Sequence, residues 1–430
     1  MRIQRLIGLV LGAAILFGDP STAAAQGLTT GAISGLVTDD ANKPLEGVQI
    51  ELRNVETGYR QGILTRANGR YNALSLAVGT YTVTARLLGY APQTRENVVV
   101  TLGGNTVASF QLKQAAAQIQ GVTISADAAG AEFSPSRQGV ATVVGDTLLR
   151  RLPTLQRDFT DLVKLTPQVT RPTDGGPSAG GVYNRYNNYT VDGVNQNDRF
   201  NLSSSGGQPG GATGGRIMSL EAVKEFQVLM SPTDVRYGNF AGMLINAVTR
   251  SGTNTWTGGA TYTFRTPGMA ADQPFIRNAD FDVKQYGFSL GGPIIKDKLH
   301  FFVAPEFQER SDPASGPAAA DGRVGDVALD SIARIAQIMQ GRGVDVGSAG
   351  FFRRNNPLTN LFGRLDYQIN GSNRLAFRQL YNTAEQDEFS RNTNAFNTNI
   401  AQQNSGIRLT SNAFSRKNTN VSSALQLYTN

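Results

Sequence analysis

The stretch "MLINAVTRSGTNTWTGGATYTFR", residues 243–265, changes character at Trp256. Before it residue types mix irregularly. From there Trp256, Ala260, Tyr262 and Phe264 are apolar at even positions, while Thr257, Thr261, Thr263 and Arg265 between them are polar. A period of two sends alternate side chains to opposite faces of a β-strand. An apolar face backed by a polar one is what a strand needs when lipid lies on one side and water or protein on the other. The pattern recurs downstream. Leu361, Gly363, Leu365, Tyr367 and Ile369 alternate with Phe362, Arg364, Asp366, Gln368 and Asn370, and similar runs occupy 285–291, 299–310, 373–381, 405–414 and 420–429. Alternation gives about seven strands.

The connections between these runs are unequal. "PIIKDK", "GSN" and "RKNTN" are short, whereas 266–282, 311–357 and 387–403 are long and polar. Outer-membrane barrels have this asymmetry, with short periplasmic turns and long extracellular loops. A soluble β-sandwich also alternates, so the loop asymmetry and the export signal described next separate the two readings.

Arg2 and Arg5 precede an apolar run from Leu6 to Phe17, and "AAA" at Ala23 to Ala25 offers small residues for cleavage before Gln26. Residues 1–25 therefore read as a signal peptide, since the run falls short of the roughly 20 apolar residues of a membrane-spanning helix. The 430 residues include 48 glycines and only 17% charged side chains, which favours turn-rich β structure. The formal charge of +7 is scattered, with no Lys/Arg-rich run, so nucleic acid is not an expected partner. With no cysteine, the chain has neither a disulfide framework nor thiolate metal sites.

Residues 31–113 contain short runs of β-formers separated by Gly, Asn, Asp and Pro, such as "GAISGLVTDD", "EGVQIELRN" and "AVGTYTVTARLLGYAP". Their spacing predicts a sandwich of about seven strands. The phrases "ISGLVTD", "PLEGVQIEL", "GRYNAL" and "GTYTVTARLLGY" resemble carboxypeptidase regulatory-like domains, which implies a transthyretin-like β-sandwich. The resemblance implies no peptidase, because zinc needs several ligands and the only histidine is the distant His300. The sequence has no HExxH or Walker A motif, and no second histidine or any cysteine to build a triad. A lone imidazole lacks partners for acid-base chemistry, so His300 reads as structural. The expectation is a non-enzyme with no cofactor and no metal. "SSSGGQPGGATGG", residues 203–215, reads as a mobile loop.

Between the sandwich and the next folded unit, residues 114–131 form a linker holding "GVTISA", which is Gly121, Val122, Thr123, Ile124, Ser125 and Ala126. A short β-prone segment among small residues suits capture as an added strand. Residues 132–252 are mixed α/β. "DTLLRRL" and "RDFTDLVKLTP" suit short helices, "NNYTVDGV" a strand closed at Asp192-Gly193, and "SLEAVKEFQVLM" a Ser219-capped turn leading into a strand.

"TVDGVNQND", "SLEAVKEFQV" and "DVRYGNFAGMLINAVTRSGTN" resemble, in order and spacing, the plug of TonB-dependent outer-membrane receptors, especially the Oar-like branch with an N-terminal regulatory-like sandwich. In that resemblance Asp192-Gly193 falls on the plug's Asp-Gly turn, Val223 to Phe226 on its strand entry, Tyr237-Gly238 on its Tyr-Gly pair, and Gly242, Asn246 and Thr249 on its final strand. "GVTISA" is similar to the TonB box that precedes such plugs. The chain has Met230-Ser231-Pro232 where many plugs have Arg-Gly-Pro, which puts a usual arginine contact to the barrel wall in doubt. The implied fold is mainly β: the sandwich, a mixed α/β plug at 132–252, and from 253 to 430 the first strands of an incomplete transmembrane β-barrel. Seven strands cannot close around a plug, as plugged barrels have about 22, so the chain reads as an N-terminal fragment.

The resemblance implies a receptor in the bacterial outer membrane, surrounded by its lipid, with the sandwich on the periplasmic side. It would import an extracellular solute with energy from TonB and its inner-membrane complex. The alternative is a non-transporting surface protein for adhesion or assembly. Two polar plug segments are the expected solute contacts: Tyr183, Arg185 and Tyr186 before the "YTVDGV" strand, and Asn197, Asp198, Arg199 and Phe200 after it. Asn, Asp and Arg supply directional hydrogen bonds, and the aromatic rings supply stacking faces.

Overall fold

The computed structural model describes residues 29–114, 122–125, 141–152, 154, 157–170, 176–198, 210–230, 237–269, 281–314, 323–324, 327–348, 350, 352–389 and 409–429. The signal peptide lies outside the described residues, as do Gly121, Ala126, Arg199 and Phe200.

The N-terminal unit is a two-sheet sandwich. Its strands are β1 (Gly31–Thr38), β2 (Gln49–Asn54), β3 (Arg60–Leu64), β4 (Arg70–Leu76), β5 (Gly79–Arg86), β6 (Gln93–Val100), β7 (Asn105–Val107) and β8 (Phe110–Gln111). One sheet pairs β4, β1, β7 and β8, and the other runs β3-β2-β5-β6 with β9 (Val122–Ser125) added at its edge. Alternation explains the packing, because in β5 the odd residues Tyr81, Val83 and Ala85 are fully buried. They meet Ile33, Val37 and Tyr71 from the other sheet. Burying each valine or isoleucine among them contributes about 1.5–3 kcal/mol. Tyr71 and Tyr81 keep polar handles in this core: their hydroxyls donate to the carbonyls of Ala108 and Ala77.

The middle unit is built on a five-stranded mixed sheet. It comprises β10 (Ala141–Val144), then β13 (Asn188–Val191), β14 (Val194–Asn195), β15 (Val223–Leu229) and β16 (Leu244–Thr249), in the order β10-β15-β16-β13-β14. A separate ribbon pairs β11 (Val169–Thr170) with β12 (Ser178–Ala179). Helix α1 (Asp146–Arg151) follows β10. The expected helix in "RDFTDLVKLTP" is a 3-10 segment, Phe159–Leu165, whose cap Asp158 accepts from the Thr160 amide. Ser219 precedes its turn without a side-chain capping bond, contrary to expectation. Every residue of β16 is buried, as a strand covered on both faces requires.

The last unit is an antiparallel meander: β17 (Thr257–Arg265), β18 (Asp282–Ile295), β19 (Leu299–Val303), β20 (Glu306–Pro313), β24 (Leu358–Gln368), β25 (Asn373–Glu388) and β26 (Phe414–Thr429). β19 and β20 act as one strand interrupted at Ala304-Pro305, since both pair with β18 on one side and β24 on the other. The connection from β20 to β24 carries the small pair β21 (Arg323–Val324) and β22 (Val327–Ala328), helix α2 (Leu329–Gln340), and β23 (Arg353–Asn355) at the edge of β20. Outward residues line up across strands, as in Tyr262 opposite Tyr286 and the row Leu365, Phe377, Leu425. These side chains are exposed, whereas Asn360, Phe362, Arg364 and Asp366 of β24 are buried on the inner face. The alternation read from the sequence thus separates a lipid-facing surface from an inner wall.

One connection differs from expectation. "RKNTN" is not a turn, because residues 414–429 form a single strand whose members all pair with β25 from Glu388 to Asn373. Its asparagines and threonines mimic turn chemistry, but a long partner strand pairs with every residue of it. The glycine-rich 203–215 segment is also not simply a mobile loop. Its described part, 210–215, makes a 3-10 turn with Thr213 buried, and Asn356 donates to the Thr213 carbonyl at 2.7 Å.

Candidate functional site

The middle unit meets the inner wall at the tight turn after β13. Asp192 adopts a left-handed conformation (φ 47°) and Gly193 follows with φ 75°, a pairing that glycine and a short carboxylate side chain accommodate. The turn delivers the Asp192 carboxylate to Thr249 at the end of β16. The Thr249 amide donates to Oδ1 at 2.9 Å and its hydroxyl to Oδ2 at 2.8 Å. From the wall, Arg364 Nη1 lies 3.5 Å from Oδ1 and Arg378 Nε 3.7 Å from Oδ2. Arg364 is itself held by a two-pronged bond to Asp366, at 2.8 and 2.9 Å, and donates to the Thr249 hydroxyl at 2.8 Å. Gln426 of β26 donates to the Asp192 carbonyl at 2.7 Å. Three adjacent wall strands therefore grip one turn, in a buried environment where unpaired charges would be costly.

A second polar contact lies on β20. Arg216 donates to Glu306 at 3.2 Å and also to Gln308, while Arg157 Nε stands 3.8 Å from Glu306. The arginine contact that Met230-Ser231-Pro232 put in doubt is thus supplied from Arg157 and Arg216. Sequence reasoning missed both, and the one available signal was an arginine closing the glycine-rich "GGATGGR". Around these pairs Phe302, Phe362 and Leu380 of the wall join the apolar core of the middle unit.

The sandwich is seated at the end of the meander with the short turns 296–298 and 370–372. The Leu102 amide donates to Glu225 at 2.7 Å, Lys224 pairs with Glu56 at 3.1 Å, and the Asn254 amide donates to the Glu56 carbonyl at 2.8 Å. Asn254 and Asp297 exchange two hydrogen bonds, and His300 Nε2 lies 3.0 Å from Asn254 Oδ1. Gly58 comes so close that a Cβ would collide with the Asp297 carboxylate. A cavity of about 170 Å³ remains where the three units converge, lined by Glu56, Asp146, Asp192, Lys224, Arg364 and Arg374 among others. Beside it Asp146 binds Arg150 and Arg250. Burial alone would raise the Asp146 pKa, but the Arg150 hydrogen bond and the Arg250 charge hold it below the ordinary carboxylate value.

Of the expected solute contacts, the described residues Tyr183, Arg185, Tyr186, Asn197 and Asp198 lie toward the end of β13 away from Asp192. Tyr183 and Tyr186 are exposed, and the Arg185 guanidinium lies 5.7 Å from the Tyr183 ring centre. Asn197 sits beside them with its side chain committed: Oδ1 accepts from the Tyr189 amide at 2.7 Å and Nδ2 donates to the Asn187 carbonyl at 3.3 Å. Asp198 is half-buried next to it. Of the candidate strand-donating segment, Val122–Ser125 is extended and paired with β6.

Two parts of the chain match known family models. Residues 32–113 match the carboxypeptidase regulatory-like domain and residues 248–334 the outer membrane beta barrel domain. The TonB-dependent transporter Oar of Myxococcus xanthus is 27% identical over 328 residues, covering 71% of this chain and 29% of Oar. The carboxypeptidase N catalytic chain of Mus musculus is 39% identical over 89 residues, or 20% of this chain and 18% of that protein. Among solved structures, the outer membrane transporter YddB from Escherichia coli is 15% identical with a TM-score of 0.47, covering 68% of this chain and 37% of that one. The siderophore receptor PirA from Acinetobacter baumannii is 19% identical with a TM-score of 0.44, covering 67% and 37%. The chain spans less than a third of the length of Oar.

Proposed function

We propose that this chain, a relative of the Oar-type TonB-dependent receptors of the bacterial outer membrane, serves the import of a scarce extracellular solute, powered through TonB. The observation that carries this reading is the Asp192 turn. A domain fixed permanently in a barrel could be packed with apolar side chains, whereas this one is gripped on Asp192 by arginines and a glutamine from three strands. Such contacts exchange readily for water once a pull opens the interface, because hydration recovers what each broken ion pair loses. The middle unit is then a plug, with solute felt on its Tyr183–Tyr186 and Asn197–Phe200 side and force applied from the sandwich side. Tyr183, Arg185 and Tyr186 suit a polar or planar solute through stacking and hydrogen bonding. Gly121–Ala126 is the TonB box in this reading, captured by TonB as an added strand.

The test is genetic. A strain lacking the gene is grown on a panel of limiting nutrients to find the one whose use is lost, and Val122→Pro or Ile124→Pro is then reintroduced. Proline removes a backbone donor and fixes φ, so each variant should reproduce the deletion although the protein reaches the outer membrane normally. Wild-type growth with both prolines would reject the box. A deletion that alters surface adhesion and no nutrient would favour the non-transporting alternative.

A further inference from the structure

The candidate box is not a free tail. Val122–Ser125 forms the outermost strand of the sandwich's second sheet, parallel to β6, with Gln93 opposite Val122, Thr94 opposite Thr123, Arg95 opposite Ile124 and Glu96 opposite Ser125. We infer that the β6 edge of the N-terminal sandwich is the resting site of this segment, and that TonB competes with β6 for the strand. The inference rests on reading Gly121–Ala126 as the TonB box.

The ladder is of the kind a switch requires. A strand has two edges, and capture by augmentation needs one of them together with room for the partner's sheet beside it. β6 already holds one edge, so part of what TonB reads is spent in the resting state. Among the described residues the hold is four pairs long. Beyond Glu96 the next residue, Asn97, turns to φ 59° and the β5–β6 register shifts between Tyr81 and Val83, a bulge that distorts the β6 edge just past the described pairs. Parallel pairing is slightly weaker per residue than antiparallel pairing, so a four-residue edge ladder exchanges easily for another strand.

What leaves must be β9 and not the sandwich. The sandwich is fastened to the middle unit by Leu102 on Glu225 and by Glu56 on Lys224, and to the wall by the Glu56 carbonyl on Asn254 and by Gly58 against Asp297. With β9 on β6, a pull on the box loads the sandwich. Once β9 is released, the pull runs along the connection to β10 and reaches the β15–β16 core of the plug. The affinity that TonB displays is lowered by the fraction of molecules in which β9 is parked.

The absence of cysteine from the chain makes a direct test available. Arg95→Cys and Ile124→Cys, introduced together at facing positions in the native protein, should form one disulfide on oxidation, scored by mass. The probe is the purified periplasmic domain of TonB, titrated against oxidised and reduced protein in detergent. Oxidation should weaken TonB binding by about tenfold or more, and reductant should restore it. Equal binding by the oxidised protein overturns the inference, and so does failure of the pair to bond, since the two positions would then not face one another. Val122→Pro keeps the two readings apart. If that variant binds TonB like the wild type, the box itself is wrong; if it loses binding while the cross-linked protein keeps it, the resting site alone is wrong.

Discussion

At the residue scale, Arg364 decides how firmly the middle unit, the proposed plug, sits. It lies between two carboxylates, Asp366 on its own strand and Asp192 on the plug, with Thr249 as a shared neighbour. All four groups are buried. Replacing the arginine takes from Asp366 its two-pronged partner and leaves Asp192 with Thr249 and Arg378, which costs more than the net contribution of the intact pairs. Arg364→Met should therefore destabilise the plug by roughly 3–5 kcal/mol, read as faster hydrogen exchange at the Val191 and Thr249 amides. Asp192→Asn should do less damage than Asp192→Val. Asparagine tolerates the left-handed backbone and still accepts from the Thr249 amide, while valine does neither. Unchanged exchange in Arg364→Met would mean that the arginine only fills space.

At the element scale, α1 is a short helix whose place depends on its first residue. Asp146 reaches along the helix to Arg150 and across to Arg250 at the exit of β16, so one carboxylate joins helix and sheet. Its pKa is depressed in the folded state. The unfolded chain therefore binds that proton more readily at intermediate pH, and the stabilisation is present above the unfolded value of about 3.9 and disappears as pH falls through the lower folded value. Amide exchange in α1 should accordingly accelerate in that acidic window, and Asp146→Asn should remove this pH dependence while leaving α1 less protected at neutral pH. Identical acid profiles for the two proteins would contradict the role given to Asp146.

At the scale of the whole molecule, the proposed function puts solute recognition and energy coupling at opposite ends of β13. Tyr183 and Tyr186 lie at one end, and Asp192, the cavity and the seated sandwich at the other. Variants at the two ends should separate cleanly. Tyr183→Ala combined with Tyr186→Ala should raise the nutrient concentration needed for half-maximal growth by about tenfold, the usual scale for losing stacking anchors, with TonB binding unchanged. A fall in TonB binding in this double variant would show that the two ends are not independent.

The sequence alone pointed to the sandwich, the mixed unit and the strands of alternating faces, because each rests on a local pattern. The period of two is visible at Trp256 to Phe264 and at Leu361 to Asn370, and the turn at Asp192-Gly193 is written in the two residues that make it. Local patterns also misled where a partner elsewhere overrode them: "RKNTN" continues a strand because β25 runs alongside it, and 210–215 is fixed because Asn356 reaches it. Only the tertiary structure could decide which distant groups meet. That Arg157 and Arg216 find Glu306, that Arg364 and Arg378 find Asp192, and that "VTIS" lies along β6 are long-range facts. A charge or a β-prone run carries no record of its partner's position in the chain, since pairing across many residues is set by how the sheets stack and turn.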